Sequence, residues 1–220
     1  MGDKEHGIDP LILNDYARQI VKIIKSGIQL AIVIGGGNIF RGVQGLNDGV
    51  DRVKGDYMGM LATMINGIAL QSAIEKEGVK AKVFTSIKID PISEMYSNTK
   101  CIEAISNNEA VIFSGGTGNP FFTTDTAAAL RSLEINADVL LKGTRVDGVY
   151  SSDPEIDPTA TMYDEISFDE AIKQSLKIMD ITAFSMCREN NLPIVVFNMS
   201  KPGNLQKLIL GEKIGTLIEN

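Results

Sequence analysis

Ala110-Val111-Ile112-Phe113-Ser114-Gly115-Gly116-Thr117-Gly118-Asn119-Pro120-Phe121-Phe122-Thr123-Thr124-Asp125 decides how this chain folds. Its apolar opening reads as a buried strand, and the Ala127-Ala128-Ala129-Leu130 run beyond it as a helix. A strand that opens through glycines into a helix start gathers unpaired backbone N–H groups around an anion. The Thr123 and Thr124 hydroxyls at that start either cap the helix or bind a ligand oxygen, while Phe121 and Phe122 offer an apolar wall. Glycines, hydroxyls and aromatic rings together describe a pocket for a phosphorylated ring compound.

Upstream lies a second loop of the same kind. Ile28-Gln29-Leu30-Ala31-Ile32-Val33-Ile34 reads as a buried strand, and Gly35-Gly36-Gly37-Asn38-Ile39-Phe40-Arg41-Gly42 follows directly. Consecutive glycines let the backbone approach a phosphate closely, and Arg41 brings a planar cationic fork suited to phosphate oxygens. Either loop alone is equally well a tight strand-to-helix connection. Two in one chain, one with an arginine and one with Thr-Thr-Asp, point to a site for two phosphates.

Working outward, helical and strand patterns alternate. Ile12, Tyr16, Ile20 and Ile23 share a helical face after Asp9-Pro10, and Ser26-Gly27 ends it. A long helix is expected over 54–77 with Tyr57, Leu61, Met64 and Ile68 on its core stripe, and Met58, Met60, Met64 and Met179 are read as core filler. Strands are expected at 80–86, 110–114, 138–141 and 193–197, with a short one at the end. Helices are expected at 98–107, from Thr124 to about 135, and near 167–175, 180–190 and 203–210. Residues 142–158, dense in Gly, Asp, Ser and Thr, read as a loop or hairpin excursion. Such alternation predicts an α/β fold, a three-layer αβα sandwich about a mostly parallel central sheet. It is read as a single domain with parts at about 1–140 and 141–220. Ligands of such sheets bind beyond the carboxyl ends of the strands, where both glycine loops lie.

Composition narrows the function. The 220 residues are 44% apolar and 22% charged, enough for a sizeable core without staples. A net charge of −7 with no basic run argues against nucleic acid as the main partner. Cys101 and Cys187 are too few for a metal cluster and read as buried thiols; His6, the sole histidine, has no companions for a zinc site or a triad, so no metal ligands are assigned. No apolar run is read as approaching the roughly 20 residues of a membrane span, and the N-terminus lacks a signal-peptide pattern, so a cytoplasmic protein is expected.

Taken together, several segments resemble one family. They are Gly35 to Gly42, Gly55-Asp56-Tyr57-Met58-Gly59-Met60-Leu61-Ala62-Thr63, Thr117 to Asp125, Val146-Asp147-Gly148-Val149-Tyr150, Asp153-Pro154 and Phe197-Asn198-Met199. In order and spacing they look like the bacterial uridylate (UMP) kinases of the amino acid kinase fold group. The resemblance spans nearly the whole chain, and its Asn-Pro-Phe-Phe-Thr-Thr loop separates these enzymes from carbamate, acetylglutamate and aspartate kinases.

The resemblance implies transfer of the γ-phosphoryl of ATP to UMP, with Mg2+, in pyrimidine nucleotide biosynthesis. It also implies a homohexamer activated by GTP and inhibited by UTP, its interface using the 54–77 helix. By the same resemblance Gly36 lies near UMP, and Gly37 and Arg41 near the phosphates being exchanged. Asp56 would take the UMP ribose hydroxyls, and Thr117, Gly118, Asn119, Pro120, Phe121, Phe122, Thr123 and Thr124 would enclose the uridine. Thr144, Tyr150 and Asp153 match positions that contact ATP. Lys142 is the candidate cation on the transferring phosphoryl group, and Asp180 the candidate that orients that cation or the metal.

Plainer readings stand beside these. Asp56 and Asp180 could be charges at helix N-termini, and Lys142 and Arg41 surface cations. The family's opening strand carries Lys-x-Ser-Gly-Glu, whose lysine and glycine backbone grip ATP phosphates; no Lys-x-Ser-Gly occurs in the first twenty residues, so the first strand is expected to be missing. Two alternatives therefore stay open: another enzyme of this fold acting on a carboxylate or carbamate, and a uridine-nucleotide-binding protein without turnover.

Overall fold

The computed structural model describes residues 7–40 and 49–220. Its elements in chain order are α1 (Pro10–Lys25), β1 (Ala31–Val33), α2 (Arg52–Lys76), β2 (Ala81–Thr85), β3 (Glu94–Met95), α3 (Asn98–Ser106), β4 (Ala110–Ser114), α4 (Thr124–Glu134), β5 (Leu140–Thr144), β6 (Glu165–Ser167), α5 (Phe168–Lys173), α6 (Ile181–Glu189), β7 (Ile194–Asn198), α7 (Asn204–Ile209) and β8 (Thr216–Glu219). The chain divides into two compact units, Met1–Ala127 and Ala128–Asn220, each with its own four-stranded sheet.

In the first unit the strand order is β1-β4-β2-β3, and every ladder is parallel. Parallel strands need long crossovers, which α2 and α3 supply. Helix α1 starts where the sequence puts it: Asp9 accepts the Leu11 N–H at 2.9 Å with Pro10 as the first helical residue, and Ala17, Ile20, Val21, Ile23 and Ile24 are buried. Ala17, Ile20, Val21 and Ile24 pack with Met64, Leu70, Ile74, Val83 and Ile112 in this unit's core.

Helix α2 corrects the sequence reading of its core face. Of Tyr57, Leu61, Met64 and Ile68 only Met64 is buried; the other three are exposed, as is Met58. The buried side instead carries Gly55, Met60, Ala62, Thr63, Asn66, Gly67 and Leu70. The helix is apolar nearly all round, so periodicity alone does not choose a face. What chooses it is the close approach of two loops, which only small and hydrogen-bonding residues admit. The same apolarity makes α2 long and apolar enough to span a membrane by length and composition, contrary to the sequence reading, but half of that stretch is buried inside the fold.

In the second unit the order is β5-β7-β8-β6, parallel except for the antiparallel β7–β8 ladder. Among the described residues five of the six ladders are parallel, so the sheet character is as expected. Strand β5 runs three residues deeper toward the excursion than its reading as 138–141 and stops at Thr144, because Lys142, Gly143 and Thr144 stay in register with Val196, Phe197 and Asn198 of β7. The core is Leu140, Val149, Ile166, Phe168, Ala183, Phe184, Cys187, Ile194 and Ile218, with the Phe168 and Phe184 rings edge to face at 5.0 Å. Strands β3 and β6, two and three residues long, are too short to leave a pattern in the sequence.

Candidate functional site

Strands β1 and β4 are parallel neighbours, with Val33 beside Phe113, so the two glycine loops leave the same sheet edge side by side. Helix α2 then ties both down. Asn66 donates to the Gly35 carbonyl at 2.8 Å and pairs amide to amide with Asn38. One turn earlier, the Thr63 hydroxyl accepts the Gly115 N–H at 2.7 Å and donates to the Met60 carbonyl at 2.7 Å. The approach leaves no room for a side chain at Gly36, where a Cβ would lie 2.7 Å from the Gly59 oxygen and 2.8 Å from the Ala62 Cβ. Gly37 belongs to the turn that follows. Arg41 lies outside the described residues.

The second loop is held from a third side. Ser86, beyond β2, donates its hydroxyl to the Gly116 carbonyl at 2.7 Å. Gly118 has a φ of +82°, and a Cβ there would sit 2.9 Å from the Ser86 carbonyl oxygen, so this position requires glycine. Thr117 and Asn119 turn toward each other, the Thr117 hydroxyl accepting the Asn119 N–H at 3.2 Å. Phe121 is a non-glycine residue at φ +72°, and it and Phe122 are both exposed. The two threonines divide the tasks the sequence left open. Thr123 caps α4, its hydroxyl accepting the Asp125 and Thr126 N–H groups. Thr124 instead holds its hydroxyl 3.6 Å from where a Cβ on Gly35 would lie, against the first glycine loop.

Asp56 is not the cap of α2. Asp51 takes that place, accepting the Lys54 N–H, and Asp56 lies a turn further in. Its carboxylate accepts Arg52 Nε–H at 2.9 and 3.0 Å and the Phe121 backbone N–H at 2.8 Å. The side chain is 12% exposed. Gly36, Asp56 and residues 117–124 are thus brought together within the first unit.

The remaining candidates lie in the second unit. A cavity of about 630 Å³ is lined by Thr144, Tyr150, Asp153, Ile156, Leu176 and Ile178, among others. The turn-rich segment is a hairpin excursion as expected: Tyr150 bridges Met162 antiparallel, and the Ser151 N–H bonds the Thr161 carbonyl. Thr144 ends β5, and its hydroxyl is 2.7 Å from the Val146 carbonyl. Asp153 accepts the Glu155 N–H at 2.9 Å. Asp147 accepts from Lys201 at 2.7 Å and from Asn198, which hold its carboxyl below the ordinary value of 3.8. Lys142 lies within β5, two residues short of its end, and Asp180 caps α6 by accepting the Ala183 N–H at 2.9 Å. The cap reading of Asp180 is therefore realised in the fold.

Sequence reasoning missed the scaffold: Thr63, Asn66, Ser86 and Thr216. The fully buried Thr216 hydroxyl accepts the Val149 N–H at 2.8 Å and donates to the Tyr163 carbonyl, fastening both arms of the excursion to β8. The signal was present for Thr63 and Asn66, two polar residues inside an apolar helix. Among the described residues no cluster of three or more His, Cys, Asp or Glu side chains is placed to hold a metal ion.

Two glycine loops leaving one parallel sheet edge belong to an α/β protein, and comparison names its class: the chain belongs to the amino acid kinase family, whose pattern it matches over residues 1–198. Within that family its relatives are the uridylate kinases. It is 61% identical to the uridylate kinase of Bacteroides thetaiotaomicron over 220 residues, which cover 100% of this chain and 93% of that protein. Among solved structures, UMP kinase from Bacillus anthracis superposes with a TM-score of 0.95 at 37% identity, covering 99% of this chain and 90% of that one. UMP kinase from Ureaplasma parvum does so with a TM-score of 0.95 at 40% identity, covering 100% and 94%.

Proposed function

We propose that this chain is a UMP kinase, transferring the γ-phosphoryl of ATP to UMP to give UDP and ADP. The observation that carries the reading is the joining of Gly36, Asp56 and the Thr117–Thr124 loop into one site held by α2. Uridine would lie in the 117–124 loop against Phe121 and Phe122, the ribose hydroxyls would donate to Asp56, and the phosphate would meet the Gly35–Gly37 backbone. ATP would occupy the cavity of the second unit, in contact with Thr144, Tyr150 and Asp153. The Gly37 backbone, Arg41 and Lys142 would neutralise charge on the phosphates being exchanged, and Asp180 would orient Lys142.

The acceptor is already an anion, so the reaction asks for no protein base; alignment and cancellation of charge suffice. Magnesium fits best as an ion carried in by ATP, because the described residues offer no cage of their own and Mg2+ is commonly held by phosphates and water. When bound, it supplies positive charge to the phosphate oxygens.

The reading extends to a homohexamer regulated by GTP and UTP. In its favour, Tyr57, Met58, Leu61, Ile65 and Ile68 leave an exposed apolar stripe along α2 suited to a second copy.

A substrate panel tests the proposal. With MgATP, UMP should yield UDP and ADP, while N-acetylglutamate, aspartate and carbamate should give none. Turnover of one of those instead would install the alternative enzyme of this fold, and tight UMP binding without turnover would install the binding protein.

A further inference from the structure

We propose that Arg52 is a positioning residue for UMP, a latch that holds the uridine loop in its receiving shape through Asp56 and Phe121. The inference rests on the UMP reading of this site and adds a residue to it.

Arg52 makes two contacts with one guanidinium. Its Nε–H is shared between the two Asp56 oxygens at 3.0 and 2.9 Å, and its Cζ lies 5.7 Å from the centre of the Phe121 ring. Phe121 closes the triangle by donating its backbone N–H to Asp56 Oδ2 at 2.8 Å. Arg52 and Asp56 are one turn apart on α2, whereas Phe121 is 65 residues away from Asp56 in sequence. The latch therefore joins the uridine loop to helix α2 at a point beyond the bonds that Thr63 and Ser86 make to it.

Two features make pinning necessary. Phe121 sits at φ +72°, a region that a bulky residue leaves unless something holds it, and the residue is 67% exposed, so core packing does not hold it. Asp56, by contrast, is nearly buried, and a buried carboxylate needs a charge partner. Arg52 meets both needs with one planar group, bonding the carboxylate in-plane and facing the ring. A carboxylate has about four acceptor positions, so capacity remains for a ribose hydroxyl after these bonds are made.

The latch is separable from chemistry. Arg52 acts on the loop through Asp56 and Phe121, so its loss should fall on UMP affinity and on discrimination between UMP and dUMP, and should spare ATP.

The test uses the full chain as Arg52→Gln and Arg52→Lys, with Phe121→Leu as a second route that keeps the backbone donor. In Arg52→Gln, hydrogen exchange at the Phe121 and Phe122 amides should quicken about tenfold and the KM for UMP should rise about tenfold, the loss expected of a charge-assisted bond. The KM for ATP should stay within about twofold, kcat should change less than KM, and the preference for UMP over dUMP should narrow. Arg52→Lys keeps the charge without the planar group that faces the Phe121 ring and should fall between. If Arg52→Gln does not fold, Phe121→Leu should still quicken exchange at residue 122. Unchanged loop exchange and UMP KM in folded Arg52→Gln, or an equal rise for ATP, overturns the latch. Failure of the unaltered chain to phosphorylate UMP defeats the kinase reading instead, and the exchange measurement then decides the latch alone.

Discussion

The Thr63 hydroxyl accepts the Gly115 N–H at 2.7 Å, joining the middle of the long helix to the second glycine loop across 52 residues. The bond is buried, and Thr63 is 5% exposed. Thr63→Val keeps the shape but strands that N–H, a loss of about 1–3 kcal/mol. We expect a matching fall in unfolding free energy in denaturant titration and weaker UMP binding. A variant as stable as the parent would mean that another group takes the Gly115 N–H.

Asp56 receives Arg52, the Phe121 N–H and, in the proposed complex, the ribose. Asp56→Asn keeps the size but removes the charge that draws these donors, so calorimetry should find UMP affinity reduced roughly tenfold or more and ATP affinity nearly unchanged. Equal losses for both nucleotides would remove Asp56 from the ribose.

Asp147 links acidity to stability. The Lys201 ammonium first, and then the Asn198 amide, hold its carboxyl below the ordinary 3.8. Near that value the unfolded chain binds more protons than the folded one, so the contribution is complete above about pH 4 and disappears as pH falls through the folded value. Both partners are about half exposed, which limits the effect to under about 1 kcal/mol. Asp147→Asn should therefore lower Tm slightly at pH 7, with the difference from the parent shrinking as pH falls below the ordinary carboxylate value. Asp157, lowered by its Ser152 and Thr159 bonds, titrates in both proteins and cancels in the comparison.

Cys187 is fully buried, and burial followed by the nearby Asp180 charge pushes its thiol up to about 12. Cys101 is equally buried. At pH 8 neither should react with a thiol-specific disulfide reagent until the chain unfolds. Rapid labelling of the folded protein would contradict the packing around both.

How much of this was legible follows from what each signal measures. The alternation of strand and helix was readable because parallel strands buried on both faces are continuous apolar runs, as in Ala110–Phe113. The glycine loops were readable because they combine residues that few other structures need together. The face of α2 was not, since an apolar stripe of Tyr57, Leu61 and Ile68 satisfies helical periodicity while lying on the exposed side. Ser86 and Thr216 were illegible for a related reason: they act on backbone groups far away in sequence, and local spacing carries no trace of that, whereas Thr63 and Asn66 show only as polar residues in an apolar helix, without their partners. The roles of Lys142 and Asp180 came from family resemblance, while the fold itself explains Asp180 as a helix cap.

The most direct measurement is a crystal structure with UMP bound. The account predicts the phosphate against the Gly35–Gly37 backbone, the ribose hydroxyls on Asp56 and the uracil within residues 117–124 beside Phe121 and Phe122. UMP seated elsewhere, with those loops empty in a crystal grown at saturating nucleotide, would contradict it.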